Sequence, residues 1–546
     1  MSIDWKKINV LHNDAKNSFH QMEGILQKAM RLTFPGRNYF NQSSEDAGDD
    51  KQKYIFDNTA QYAANVFVNS LSELLFPNQF FKFEVGVNVP IQRRESMQKE
   101  LDRLTHEYHQ LINQTFYKNS ITESLSDAAV STGFIEIREN KGGYGLTNPI
   151  SFHSSPLCKT YFVEHNDMIV STWRENETKF HSIKSKYPYV NWSTVNYKDD
   201  DLIKIIDGCV YNPRSEDDEE PFVFYLDDSD DDSNPFYHER RSYPSRFGFG
   251  MDRFAIGSYR NGQILKILPN ICTVNSIAEM NWLAIQYNSM PLMLVQPERF
   301  ENPAMLRLTP GSTIKINDHA AIPSQGTSPP AMQVPFNLNS QDSETRLSAL
   351  QESIAMALFA VSPPSEKVRT ATEVSMQDNA RIQGIARASR RLKGELLDQF
   401  IKYSVKGFRR NGFMVRDNPA EKFVIDDDNI AICYNNIFTN SDDMNVVNSI
   451  NTYRESIQPW VGEQLGMQTL DMAKLPDELA NRLNLPVGLV RSENEVRQMI
   501  KVMEKSAQQQ QQVANQQADQ EQVQNQASPS GQESQPVNPL QSLGNV

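Results

Sequence analysis

Apolar positions three or four apart run through residues 52–76, where Ile55, Tyr62, Val66, Leu71 and Leu74 share one side of a predicted helix that Phe76-Pro77 ends. A second helix is expected over 93–118, with Met97, Leu101, Leu104, Tyr108, Leu111 and Phe116 close to heptad spacing. From about 133 to 226 the pattern becomes short, β-rich and aromatic, as in GFIEIRE, TYFVEH and MIVSTWRE. His165-Asn166-Asp167 reads as the turn of a hairpin there.

Helical spacing returns at 263–287, with Ile264, Ile267, Ile271, Val274, Ala278, Trp282 and Ile285 in one stripe; Pro269 is expected to fit only near the first turn. Residues 290–340 are Pro-rich and strand-like (PLMLVQP, LRLTPG, TIKIN). A helix follows over 342–360, carrying Leu347, Leu350, Ile354, Ala357 and Val361, and Pro363-Pro364 stops it. After a polar loop, Ser362 to Thr372, residues 373–410 predict a helix of about 38 residues, about 57 Å long. Such a rod implies a large assembly. Near the end of the folded part Ser492 and Glu495 form a capping box. Residues 506–546 hold fourteen Gln and no aromatic, Lys or Arg, so this tail is expected to be disordered. The whole reads as an α+β chain, mainly helical.

Charge changes the picture. The 546 residues carry 54 Lys plus Arg against 68 Asp plus Glu, a net of −14, the wrong sign for a surface that grips nucleic acid throughout. Yet residues 367–410 hold eleven Lys or Arg against four acids, so charge is segregated. The basic helix fits either a face toward DNA or pairing with a neighbouring subunit. Lys367 and Arg369 lie in the loop, where charges project as a packed helix does not allow, although a solvated loop without a partner is the plainer reading. Residues 216–232 hold ten Asp or Glu and no Lys or Arg; a surface excursion is expected, with a cation or partner site as the alternative.

Recognisable chemistry is scarce. The sequence has no phosphate loop, no HExxH, no GxSxG and no GxGxxG at a strand-to-helix junction. His106 and His109 stand three apart on a predicted helix without a third ligand nearby, which favours a helix-surface pair over a metal. GFGMD at 248–252 reads as a structural turn. Cys158, Cys209, Cys272 and Cys433 are far apart and are expected to be buried and reduced. No apolar run is long enough to span a membrane and the first residues lack a secretion signal, so a soluble protein without cofactor is expected.

The order of parts is then specific. DNTAQYAANVFVNSLSELLFP at 57–77, IPSQ onward into QVPF and the 342–360 helix, RTATEVSMQDN at 369–379 and LPVGLVRSENEV at 485–496 resemble the portal, or head-to-tail connecting, proteins of short-tailed bacteriophages. The likeness spans about 57–505; the acidic 198–232 excursion and the extreme tail inherit no role. The resemblance implies a ring of twelve copies around an axial channel at one capsid vertex. It assigns 1–260 to the wing, with a helical start, 261–289 and 341–361 to the stem helices, and 290–340 to the clip. It assigns 362–372 to the tunnel loop, 373–412 to the long helix, 413–450 to a return into the wing and 451–505 to the crown.

By the same resemblance, Lys367 and Arg369 are candidate DNA contacts of the tunnel loop. Arg381, Arg387, Arg390, Arg391 and Lys393 are candidates for DNA or the neighbouring subunit, and Arg299, Arg307 and Lys315 for clip contacts to terminase or tail. Implied partners are duplex DNA read without sequence preference, the terminase large subunit, major capsid and scaffolding proteins, and tail adaptors, with no membrane. The alternatives are another virion structural protein without a channel, distinguished by ring stoichiometry, and an enzyme using carboxylates of the acidic stretch.

Overall fold

The computed structural model describes most of residues 5–289, the strand pair at 293–295 and 331–333, residues 340–359, 384–385, 390–415 and 430–435, and scattered positions beyond. The chain divides into two units, Met1–Thr439 and Asn440–Val546. In the second, only isolated residues such as 496–499 are described, and they are helical. Ser492, Glu495 and the tail 506–546 lie outside the described residues.

The first unit begins with helix α1 (Trp5–Thr33) and α2 (Thr59–Leu75). Strand β1 (Phe81–Val85) leads into α3 (Ile91–Asn113) and α4 (Tyr117–Val130). The single helix expected over 93–118 is therefore two. Thr115 turns back onto the Ile112 carbonyl at 2.7 Å, and Phe116, expected on the apolar stripe, is exposed at the break. Tyr62 is likewise exposed on α2. Helix α4 is buried over most of its length although it is rich in Ser, because Ser124 and Ser126 donate to carbonyls four residues back at 2.8–3.0 Å.

Two antiparallel sheets follow. Strands β2 (Thr132–Glu139), β3 (Ile150–Ser155) and β9 (Arg246–Gly250) form one, ordered β3-β2-β9. Strands β4 (Thr160–His165), β5 (Met168–Lys179), β6 (Leu202–Val210), β7 (Glu220–Leu226) and β8 (Tyr237–Arg241) form the other in chain order, with helix α5 (Phe180–Lys186) after β5. His165 pairs with Met168, as the expected hairpin requires. Two expectations are corrected here. The acidic stretch is not a plain excursion, since β7 lies inside it and its PFVFY core pairs between β6 and β8. GFG at 248–250 is strand, not turn. Its glycines are there for clearance, because a Cβ at Gly248 would meet the Phe134 ring and one at Gly250 the Arg260 stem.

Helix α6 (Gln263–Ser289) runs through Pro269, which stands in its second turn rather than at its start. Strands β10 (Met293–Val295) and β11 (Ala331–Gln333) pair antiparallel, and α7 (Ser340–Ala357) follows. Of the long helix, Gly384–Ile385 and 392–410 are described as helical. It is not uniformly α: a π-helical turn, Lys393–Asp398, precedes α8 (Gln399–Arg410). Strand β12 (Ile430–Tyr434) closes the unit against β1.

The other edge of β1 is closed by side chains of α3. Gln98 accepts from the Val85 N–H at 3.0 Å and donates to the Phe83 carbonyl at 3.1 Å, and Thr105 accepts from the Phe83 N–H at 3.1 Å. These satisfy strand groups that a bare edge leaves open. Phe76, Phe80, Tyr117 and Phe400 join α2, α4 and α8 in one aromatic cluster, with Phe76 to Phe400 at 5.5 Å between centroids.

Candidate functional site

Helices α6 and α7 form an antiparallel pair. Gln263 donates to the Ala357 carbonyl at 3.2 Å at one end, and Ser343 to Asn281 Oδ1 at 3.1 Å at the other. At the first end the apolar stripe is buried, with Ile264, Leu268, Ile271 and Val274 of α6 against Ile354 of α7 and the neighbouring Leu358. At the second end it is bare. Met280, Trp282, Leu283 and Ile285 are 61%, 53%, 43% and 58% exposed, and only Ala284 among these successive positions is buried. Together α6 and α7 carry two basic residues, Lys266 and Arg346, against four acids, Glu279, Asp342, Glu344 and Glu352.

The chain on either side of residues 360–383 meets at one place. Phe359 follows α7, and a Cβ on Gly384 would run into its ring. Phe359 also lies 6.2 Å from the Phe67 ring of α2, so the meeting point is fixed to the core. Phe359 and Gly384 thus lie together at the base of the helix pair.

Of the candidate basic residues, Lys367, Arg369, Arg381 and Arg387 fall outside the described residues, as do Arg299, Arg307 and Lys315. Arg390 is exposed. Arg391 pairs with Glu395 one turn on, and Lys393 lies 5.2 Å from the Tyr434 ring of β12. Glu395 also accepts from Arg260 Nη2 at 3.2 Å and from the Gly250 N–H at 3.0 Å, while Arg260 Nη1 reaches Glu164 at 2.6 Å. This clasp escaped the sequence reading; the paired glycines of GFG were its one trace.

A second buried charge group ties the two sheets together. Arg174 of β5 donates to Glu136 of β2 at 2.7 Å and to Asp207 of β6 at 2.6 Å, and Arg246 of β9 reaches the other Asp207 oxygen. Burial by itself would raise the Glu136 carboxyl, but the charges of Arg174 and Arg246, with Arg138, hold it well below the ordinary range. Glu175 behaves alike. Burial would raise it, yet hydrogen bonds from His12, Lys16 and Lys204 bring its pKa far down.

None of this resembles a reaction centre. His106 is exposed and meets Gln110 at 2.9 Å, whereas His109 is buried against the Phe81 carbonyl at 2.9 Å, so the two are not a surface pair. Burial lowers the His109 pKa. Among the described residues no group of three or more His, Cys, Asp or Glu is placed to hold a metal. The four cysteines are free thiols; Cys158 and Cys209 are buried, while Cys272 and Cys433 are half-buried, less enclosed than expected.

Residues 6–490 match the family described as bacteriophage head to tail connecting protein. The chain belongs to this family. The connector is accordingly a structural, non-enzymatic protein of the virion, at the junction of head and tail. No curated protein matches its sequence. Among the described residues no helix is long and apolar enough to cross a membrane. In the connector the bare end of α6 and the meeting of Phe359 with Gly384 are the features that call for a function.

Proposed function

We propose that twelve copies of this connector close into a ring around an axial channel at one capsid vertex, through which the genome enters during packaging and leaves at ejection. The observation that carries the reading is the apolar end of α6, where Met280, Trp282 and Leu283 are left exposed among the described residues, as a face that meets a neighbouring subunit would be. A closed ring supplies the same neighbour to every subunit, since its heterologous contacts join two different faces.

In this reading α6 and α7 are the stem, 290–340 the clip that meets the terminase large subunit and later the tail adaptors, and the wing faces the major capsid and scaffolding proteins. Residues 362–372 are the tunnel loop. Lys367 and Arg369 touch the duplex backbone without reading its sequence. The helix pair around the channel has more acids than bases, which suits a conduit: each phosphate neutralised adds affinity through counterion release and would hold back a moving duplex.

Electron microscopy of the purified full-length protein, with mass measured by light scattering, tests this directly. Annular particles of about twelve subunits are expected, and Trp282→Glu should leave folded subunits that no longer close. A wild-type protein that stays monomeric under all assembly conditions rejects the ring.

A further inference from the structure

We propose that the π-helical turn Lys393–Asp398 is a rotational joint in the long helix, held in its wide register by the clasp on Glu395. A π turn contains more residues than an α turn, and such turns sit where a helix is re-aimed. Here Leu396 and Leu397, adjacent in sequence, are both fully buried, and the polar residues around them are tied to other elements. One Glu395 oxygen accepts from the Gly250 N–H of β9 at 3.0 Å; the other takes Arg260 at 3.2 Å and Arg391. Arg260 in turn holds Glu164 of β4 at 2.6 Å, and Asp398 accepts from the Tyr434 hydroxyl of β12.

Gly394 stands in the middle of the turn with open space around it. The nearest atom to a Cβ there is Asp398 Oδ2 at 3.9 Å, so no crowding requires glycine. What glycine contributes is low helix propensity, which keeps the turn deformable. When Glu395 lets go, the turn drops its extra residue and the helix before it swings by about 100° around its axis, one residue's rotation. Arg390 and Arg391, next to the turn, move with it, while α8 stays anchored by Phe400, Ile401, Val405 and Phe408 in the core. Only the consequence of that swing for DNA rests on the proposed channel; the joint itself rests on the contacts of Glu395. Glu395 is a positioning residue.

Hydrogen exchange read by mass spectrometry on the full-length protein, whatever its oligomeric state, tests the joint. Glu395→Gln should speed exchange of 393–398 by about tenfold and leave 400–408 within about twofold, the sign of local opening. Gly394→Ala, which meets no clash, should slow the same amides by about threefold as the helix stiffens. Thiol labelling of Arg390→Cys, resolved by peptide mass from the four native cysteines, should change by about threefold or more when Glu395→Gln is added, as the position turns. Unchanged exchange of the turn, equal acceleration of α8, or faster exchange with unchanged labelling overturns the proposal. If Glu395→Gln does not fold, Gly394→Ala decides alone, and exchange that is not slowed rejects the joint. Failure to form rings rejects the proposed channel and leaves this measurement standing.

Discussion

Phe359, at a positive φ of 53°, lays its ring where a side chain on Gly384 would have to stand. That contact brings Phe359, just after α7, and Gly384 to the same point of the core at the base of α6 and α7.

Gly384→Ala places a methyl group against that ring. The helix gains about 0.5–1 kcal/mol from the better propensity of Ala, and overpacking costs about 1–3 kcal/mol, so a net loss of about 1 kcal/mol is expected. Adding Phe359→Ala should remove the clash, making the pair non-additive by at least about 0.5 kcal/mol in urea unfolding. Simple additivity would show that the two positions do not touch.

Asp207→Asn takes the charge from a site that holds Arg174 and Arg246. Removing one partner of a buried pair leaves the other charge uncompensated and costs about 3–5 kcal/mol. Calorimetry should show a clear fall in Tm, whereas the exposed pair Lys179 with Asp200 should contribute under about 1 kcal/mol when Asp200 is replaced.

Acid should weaken the fold through Glu136 and Glu175, whose carboxyls are lowered below their unfolded values of about 4.3. A depressed folded pKa gives stability that is complete above the unfolded value and lost as pH falls toward the folded one. Asp127 acts in the opposite sense, since burial raises its carboxyl in spite of Arg37, and protonation there favours the folded chain. With two depressed groups against one raised group, stability should decline from about pH 5 downward. Glu136→Gln should be destabilising at pH 7, with the gap to the wild type narrowing as pH falls below the unfolded value of about 4.3. A constant gap across that range would contradict the assignment.

Replacing Lys367 and Arg369 with Ala should leave assembly intact and change how much DNA is packaged or retained, because these residues are proposed to touch the duplex rather than the neighbouring subunit. The length of packaged genomes and its dependence on salt are the measurements. Unchanged packaging and retention would remove both residues from the channel.

Much of the helical frame was legible, because α2, α3, α6 and α7 each carry an apolar stripe at helical spacing. Helix α4 was not: its Ser-rich interior hides burial, since its hydroxyls satisfy themselves on the preceding turn. The acidic stretch misled for the opposite reason. Its charges flank PFVFY, and composition summed over the window masked a strand that pairs on both sides. The Glu395 clasp joins positions more than a hundred residues apart, and no local pattern announces it. The bare end of α6 was read as an ordinary stripe, because periodicity marks an apolar face without saying whether the same chain covers it.

The Arg174, Glu136, Asp207 and Arg246 group sits where mobile ions scarcely penetrate, and enclosed charges are screened far less than surface ones. The seam between the two sheets should therefore keep its strength from dilute buffer to the dense electrolyte that surrounds a tightly wound genome, while exposed basic residues such as Arg390 weaken their hold on any polyanion as that electrolyte thickens. One polypeptide thereby separates a salt-indifferent frame from salt-sensitive surface charges.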